Sequence, residues 1–270
     1  MTPSSPPDAA LPFQDADAYD QFMGRWSRKL APLLIGFGGL ADGERALDVG
    51  CGTGSLTFAL PAFASLTGVT GIDATEPFIA AARARNSDPR IAFDLGDARA
   101  LPYADASFDR AYSSLVLQFI PDAAKAVAEM RRVVRPGGTV VAAVWDYYGG
   151  QPFTRILWDI AGVLDPMLER PFFRPLNGPG EMGEAWRAAG LTDVEETNLT
   201  IRMEFASFDD YWGPFEMGEG LHGKYVAGLP SPARETLRQH VHRAYVGNRP
   251  DGPRSMACVA WACRGTVRGS

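Results

Sequence analysis

Residues 46–57 read Ala-Leu-Asp-Val-Gly-Cys-Gly-Thr-Gly-Ser-Leu-Thr, a short apolar strand running straight into glycines at alternate positions, Gly50, Gly52 and Gly54. Glycine is the residue that tolerates positive φ and close backbone approach, so the chain is built here to let a ligand come near its main chain. An acid, Asp48, sits just inside the strand end. The spacing narrows the ligand class. A dinucleotide fingerprint places its third glycine three residues after the second, where a pyrophosphate meets a helix N-terminus. That position is Ser55 here, so the loop admits a small ligand without demanding a phosphate site.

Beyond the loop, strands and helices alternate. Strands are expected at Arg45–Val49, Gly68–Asp73, Arg90–Asp94, Phe108–Ser113 and Thr139–Trp145. Helices are expected at Ser55–Ala64, where Pro61 shortens or kinks the run, at Glu76–Asn86, and over 122–135 with Val127, Met130, Val133 and Val134 as the buried stripe. Strands alternating with helices imply an α/β fold: a Rossmann-like, doubly wound, mostly parallel seven-stranded sheet with helices on both faces. Ligands of such sheets bind at the carboxyl ends of the strands. Late strands at Val194–Phe205 and Ser255–Arg264 are expected to pair antiparallel, with helices at Glu181–Ala189 and about Ala233–Val246.

The organisation of the chain is set by these shifts in pattern. Residues 1–14, rich in proline and serine, read as a disordered leader, and 15–40 as an N-terminal helical lid. Residues 41–270 form the main domain. Its cofactor half is 41–146, and the segments 147–180 and 206–254 are an inserted, aromatic-rich cap that faces substrate. The chain of 270 residues carries 26 basic and 32 acidic side chains with no basic run, which gives nucleic-acid binding no electrostatic support. Three cysteines without repeated spacing argue for a reducing, cytoplasmic setting rather than a disulfide framework. Cys258 and Cys263 are expected on opposite faces of one strand, and no metal site is expected. No apolar run approaches the ~18 residues of a membrane span.

Five motifs in order carry a family resemblance: LDVGCGTGS (47–55), GIDATEPFI (71–79), DLGDARALPYADASFD (94–109), SSLVLQFIPD (113–122) and RVVRPGGTV (132–140). Together they resemble the class I S-adenosylmethionine-dependent methyltransferases, and most of all their UbiE/type-11 small-molecule branch. The resemblance implies S-adenosyl-L-methionine as cofactor and a small-molecule methyl acceptor as partner. It implies that Gly50, Cys51, Gly52 and Gly54 pack against the methionine part of that cofactor. Asp48 then either orients the loop or meets the ammonium end. Asp73 takes the two ribose hydroxyls, as charge-assisted bonds. Asp97 takes the adenine amino group and the Ala98 N–H a ring nitrogen, while Ile72, Ala74 and Phe78 wall the purine. Ser113, Ser114 and Leu115 stand beside the sulfonium. Cys51 is read as a small packing residue, with nothing nearby to make it a thiolate.

The reaction partners are less defined. The family often carries a histidine after the fourth strand; here Gln118 stands there, which either hydrogen-bonds substrate or packs beside Phe119, and cannot act as a base. Of the three histidines, His240 and His242 fall on a surface helix beside arginines, and His222 lies in a glycine-rich segment that reaches toward the site. His222, Tyr147, Tyr148, Tyr211 and Asp146 are the candidate general bases. Tyr19, Phe22, Met23 and Trp26 form a stripe that either lids the substrate or packs on the core, with Arg25 and Arg28 available to an anion. Phe153, Trp158, Phe172, Phe173, Trp212 and Phe215 add apolar surface of the kind that lines small-molecule sites. The expected activity is methyl transfer to a small, partly apolar molecule. Non-methyl chemistry such as cyclisation, a non-catalytic binding protein, or a nicotinamide oxidoreductase are its rivals, and a homodimer is compatible with the chain.

Overall fold

A computed structural model describes residues 15–169 and 175–269. The leader at 1–14 and the aromatics Phe172 and Phe173 lie outside the described residues. The central element is one seven-stranded sheet in the order β3-β2-β1-β4-β5-β7-β6. Its strands are β1 (Arg45–Val49), β2 (Gly68–Asp73), β3 (Ile91–Leu95), β4 (Phe108–Ser114), β5 (Val134–Trp145), β6 (Leu191–Phe205) and β7 (Arg254–Val267). The first five pair parallel. β7 is antiparallel to both β5 and β6, so the sheet is mixed rather than uniformly parallel at that edge. The order reverses between β1 and β4, and the glycine loop leaves β1 at that switch point.

Helices cover both faces, which is why β5 is apolar on consecutive residues. Val141, Ala143 and Trp145 face one apolar layer, and Val140, Ala142 and Val144 the other. The second layer holds α4 (Ala123–Val133) and α6 (Glu181–Ala188). The first holds α2 (Arg25–Gly38), α3 (Glu76–Arg85) and the cap helices α5 (Pro152–Leu164), α7 (Phe208–Glu216), α8 (Gly220–Gly228) and α9 (Ser231–Val246). Cys258 and Cys263 fall into different layers, as strand alternation requires.

One expected helix is absent, and two junctions take a specific form. Residues 55–64 form no α-helix but a run of turns ending in a 3-10 turn at Leu60–Ala62. Bonds there mix two spans, Phe58 N–H to the Gly54 carbonyl at 2.9 Å and Ala62 N–H to the Ala59 carbonyl at 3.1 Å, and Pro61 contributes no donor. The turn at Arg135–Gly138 is a bulge inside β5, since Phe108 pairs with Val134 and Arg110 with Thr139. At the N-terminus α1 (Ala16–Tyr19) passes through a π-turn (Asp20–Gly24) into α2, which is capped by Gly39 in the left-handed conformation, φ +72°.

Candidate functional site

The loop between β1 and residue 55 forms the floor. Gly50, Gly52 and Gly54 have φ of +74°, +55° and +91°. A Cβ on Gly50 would stand 2.3 Å from Val116 Cγ1, so loop and post-β4 segment are in direct contact. A Cβ on Gly52 would meet nothing nearer than the Tyr19 ring at 3.8 Å, so this glycine faces the N-terminal helices across open space. Cys51 is buried, and burial pushes its thiol well above the usual range, leaving it a packing residue.

Two buried carboxylates brace the loop. Asp73 ends β2. Its Oδ2 accepts the Gly52 N–H and its Oδ1 the Thr75 N–H, both at 2.9 Å. Burial raises its pKa and these N–H groups oppose the rise. The Thr75 side chain and the Ala74 N–H also hold this carboxylate, so a ligand's hydroxyl donors would share it with them. Asp48 accepts from Thr57 Oγ1 at 2.6 Å through Oδ2, while its Oδ1 is buried with no partner among the described residues. Burial first, then the Asp73 charge, pushes the Asp48 carboxyl up to about 7. Asp97 differs from expectation. Arg99 binds it in two-pronged fashion, at 2.8–3.1 Å, and holds its carboxyl low. An adenine amino group would share that carboxylate with Arg99. Ile72 and Phe78 are buried, Ala98 is half-buried, and Ala74 is exposed, which gives the purine position a wall on one side.

At the end of β4 the Oγ atoms of Ser113 and Ser114 are buried and unpartnered among the described residues. Leu115 takes φ +65°, a left-handed conformation that costs an L-residue roughly 1–2 kcal/mol. Two bonds hold it there: its N–H donates to the Ala143 carbonyl at 2.7 Å, and its carbonyl accepts from Gln118 Nε2 at 2.9 Å. Gln118 thus braces this turn through Nε2, while its Oε1 is buried with no partner among the described residues.

Leu115 forms part of the wall of a cavity at the carboxyl ends of β4 and β5. Phe119, Trp145 and Tyr147 wall it from the sheet, and Gln151, Phe153 and Thr154 from the start of α5. Tyr19, Phe22, Met23 and Ser27 close it from the N-terminal helices, and Leu221 and His222 from α8. His222 is 7% exposed and stands among the rings of Phe22, Trp158 and Phe215 at 5.6, 5.4 and 5.9 Å. Its Nε2 has no partner among the described residues, and burial pushes the imidazole down to about 3.

Other expected residues are engaged elsewhere. The Tyr211 hydroxyl donates to the Phe153 carbonyl at 2.5 Å, and its ring packs on Phe205, so it is core and not a base. Trp26 is 3% exposed and also packs on Phe205. Arg25 lies 4.3 Å over the Trp26 ring and pairs with Asp210 at 2.7 Å, which ties α2 to α7 and leaves it unavailable to an anion. Asp146 Oδ1 accepts the N–H groups of Tyr148 and Gly149, bracing a turn, and Tyr148 is half exposed. His240 is exposed with Nδ1 against the Thr236 carbonyl, and His242 lies edge-on to Phe208.

Sequence reasoning missed Asp20 altogether. Its carboxylate accepts from Thr53 Oγ1 at 2.6 Å and pairs with Arg85, tying the π-turn to the glycine loop. A Cβ on Gly24 would stand 2.4 Å from Asp20 Oδ1, so an acid with a glycine four residues later was the available signal. Trp145, Gln151, Thr154 and Leu221 were also missed; none breaks the pattern of its own segment.

A model of the family described as "Methyltransferase domain" matches residues 47–142. A demethylmenaquinone methyltransferase of Roseiflexus sp. (strain RS-1) is 34% identical over 168 residues, 56% of this chain and 68% of that protein. The chain belongs to this methyltransferase family. An uncharacterised 37.1 kDa protein in a transposon of Streptomyces fradiae is 43% identical over 107 residues, 39% of this chain. Among the curated relatives, the matched stretch spans only 31% of that protein and 44% of an uncharacterised Mycobacterium bovis protein. In architecture, the chain is similar to the solved Haemonchus contortus phosphoethanolamine N-methyltransferase 2 in complex with S-adenosyl-L-methionine, with a TM-score of 0.58 and 20% identity over 94% of this chain and 57% of that one.

S-Adenosylmethionine is accordingly the cofactor of this methyltransferase, and the residues present fit it. The orphaned Asp48 Oδ1 suits an ammonium, the Asp73 carboxylate at the end of β2 suits ribose hydroxyls, and the open face of Gly52 lets a ligand lie against the loop.

Proposed function

We propose that the protein transfers the methyl group of S-adenosylmethionine to a small, partly apolar molecule held in the aromatic cavity. The observation that carries this reading is the position of that cavity. It lies at the carboxyl ends of β4 and β5, shares Leu115 with the segment that touches the glycine loop at Val116, and is walled by Phe22, Phe119, Trp145 and Phe153. Bound cofactor supplies a methyl already activated by a sulfonium charge, so the protein's share is alignment and exclusion of water. Alignment of this kind supplies roughly 7–11 kcal/mol of a barrier.

Asp48, Gly52 and Asp73 bind the donor. Gln118 fixes the Leu115 turn between donor and acceptor, and the rings keep water out. Three buried, unpaired thiols agree with a reducing, cytosolic setting. No observation in the site favours cyclisation or a purely binding role.

Calorimetry with S-adenosylmethionine and NAD tests the first half: micromolar binding of the former and none of the latter is expected, and the reverse preference overturns the reading. Incubation with labelled donor and a library of apolar small molecules tests the second half, through label transferred to an organic product.

A further inference from the structure

The cavity contains an unusual combination of charge and polarity. Among the described residues none of those lining it is an aspartate, glutamate, lysine or arginine. The nearest candidate cation from the lid, Arg25, is committed to Asp210 and to the Trp26 and Phe205 rings. The wall would therefore give an ionised acceptor no counter-ion, leaving only the sulfonium of a bound donor, and an unpaired buried charge is among the costliest things a protein can hold. Yet the walls are not purely apolar. His222 carries a buried Nε2 with no partner among the described residues, and a buried polar atom left unmade costs its desolvation.

Resting on the methyl-transfer reading, we infer that the acceptor is an uncharged apolar molecule that hydrogen-bonds the His222 imidazole through a single hydroxyl or N–H group, and that phosphorylated, carboxylated or sulfonated molecules are excluded. Three further observations support this. The imidazole is held between Phe22, Trp158 and Phe215, so its ring plane is fixed by packing and not by a polar neighbour. Burial keeps it neutral down to about pH 3, so it offers no positive charge to an anion at working pH. Two other polar side chains of the wall are turned to the protein: Ser27 Oγ donates to the Met23 carbonyl at 3.2 Å, and Thr154 Oγ1 donates within its own turn to the Gln151 carbonyl at 3.1 Å and lies 3.3 Å from Gln151 Oε1. Trp145 Nε1 is a further buried atom without a partner among the described residues, and an indole N–H only donates, so it offers nothing to an incoming donor. Unsatisfied hydrogen-bonding atoms in an apolar box discriminate sharply, because a molecule lacking the matching group leaves them unpaired.

The test uses the full chain saturated with S-adenosylhomocysteine, and three probes that share one bicyclic skeleton: 2-naphthol, 2-methoxynaphthalene and naphthalene-2-sulfonate. The first has a donor, the second has none, and the third is a permanent anion. Calorimetry is expected to rank them in that order, with 2-naphthol at least tenfold tighter than the ether and the sulfonate at least a further tenfold weaker. In the His222→Phe variant the naphthol is expected to fall to the affinity of the ether, while the ether is unchanged. His222→Gln, which restores an acceptor, is expected to recover most of the difference.

Sulfonate binding as tight as naphthol overturns the inference, and needs no variant. So does naphthol affinity unchanged in a folded His222→Phe protein, or no naphthol binding at all while S-adenosylhomocysteine binds. Failure of S-adenosylhomocysteine itself to bind is a different result, and overturns the methyl-transfer reading instead.

Discussion

The loop half of the molecule is held by its backbone, and the cap by its rings. At the ends of β1, β2, β4 and β5 the decisive contacts are Gly52 N–H to Asp73, Thr75 N–H to Asp73 and Leu115 N–H to the Ala143 carbonyl. Around α5, α7 and α8 they are ring against ring, as Phe153, Phe205, Tyr211, Phe215 and His222 show. The first kind of construction fixes a site to a fraction of an ångström. It demands particular residues at particular positions. The second fills volume, and many sequences of similar apolar content would do so.

The two halves should therefore break differently. Phe215 is 1% exposed and touches Phe22, Tyr211, Trp212 and His222. Phe215→Ala is expected to lower stability by about 3–5 kcal/mol in urea unfolding, as buried Phe truncations do. Affinity for S-adenosylhomocysteine, measured at low temperature where the variant is folded, is expected to change little. A large loss of cofactor affinity would show that the halves are one cooperative site.

The loop responds to smaller changes. Gly50→Ala adds a methyl 2.3 Å from Val116 Cγ1 at φ +74°. Overpacking of about 1–3 kcal/mol and left-handed strain of about 1–2 kcal/mol both apply, so a loss of roughly 3 kcal/mol is expected. Gly52→Ala has strain but no clash, since the nearest atom is 3.8 Å away. Its stability is expected to fall by only about 1 kcal/mol, while its cofactor affinity falls at least tenfold, because the methyl points into the open face. Equal stability losses for the two variants would remove the distinction between a packed and an open glycine.

The same contrast governs what is legible in the chain. Alternate glycines, Asp48 and Asp73 stand out because backbone geometry and a strand-end acid restrict residue type. The parallel strands and the paired late strands come from alternation of period. The run at 55–64 misleads because its apolar spacing suits a helix, and only the Pro61 donor loss and tertiary contacts turn it into linked turns. In the lid and cap, Trp26, Phe22 and Tyr211 look alike in sequence: all are large rings in amphipathic segments. Which one meets a cavity is decided by partners far along the chain, such as Arg25 reaching Asp210. Asp97 reads as a free acid because the two-residue reach of Arg99 back to it leaves no mark on the pattern.

Both halves carry a pH effect, and the two have opposite signs. The Asp48 carboxyl titrates near 7 in the folded protein, because burial disfavours its charge, against the ordinary 3.8. A raised carboxyl binds its proton more tightly folded than unfolded. Its contribution to stability is therefore complete below about pH 4 and is lost as pH rises through about 7, with a slope of at most about 1.4 kcal/mol per pH unit. Burial of neutral His222, whose imidazole is pushed down to about 3, acts in the opposite sense and raises stability with pH up to about 6.5. The Asp48 contribution is therefore read as the stability of cofactor-free wild type minus that of Asp48→Asn in urea unfolding, a difference expected to fall between about pH 4 and about pH 7. A difference that rises across the same window would mean that Asp48 is ionised and paired.

The smallest expected effect on stability sits where the two halves meet. Asp20 belongs to the lid, yet its carboxylate takes the Thr53 hydroxyl from the loop and pairs with Arg85 on α3, with Arg28 3.8 Å away. Half-exposed ion pairs contribute little, so Asp20→Ala is expected to cost less than about 1 kcal/mol. Its kinetic consequence should be larger. Tyr19, the residue before it, faces Gly52 across the open side of the loop, so a ligand lying there leaves only when this stretch lifts. Loosening the latch is expected to speed dissociation of S-adenosylhomocysteine several-fold in stopped-flow displacement, and raising salt is expected to do part of the same in the wild type. If the dissociation rate is unmoved by both, the N-terminal helices are packing on the core, and the cavity is gated from the cap side by α8.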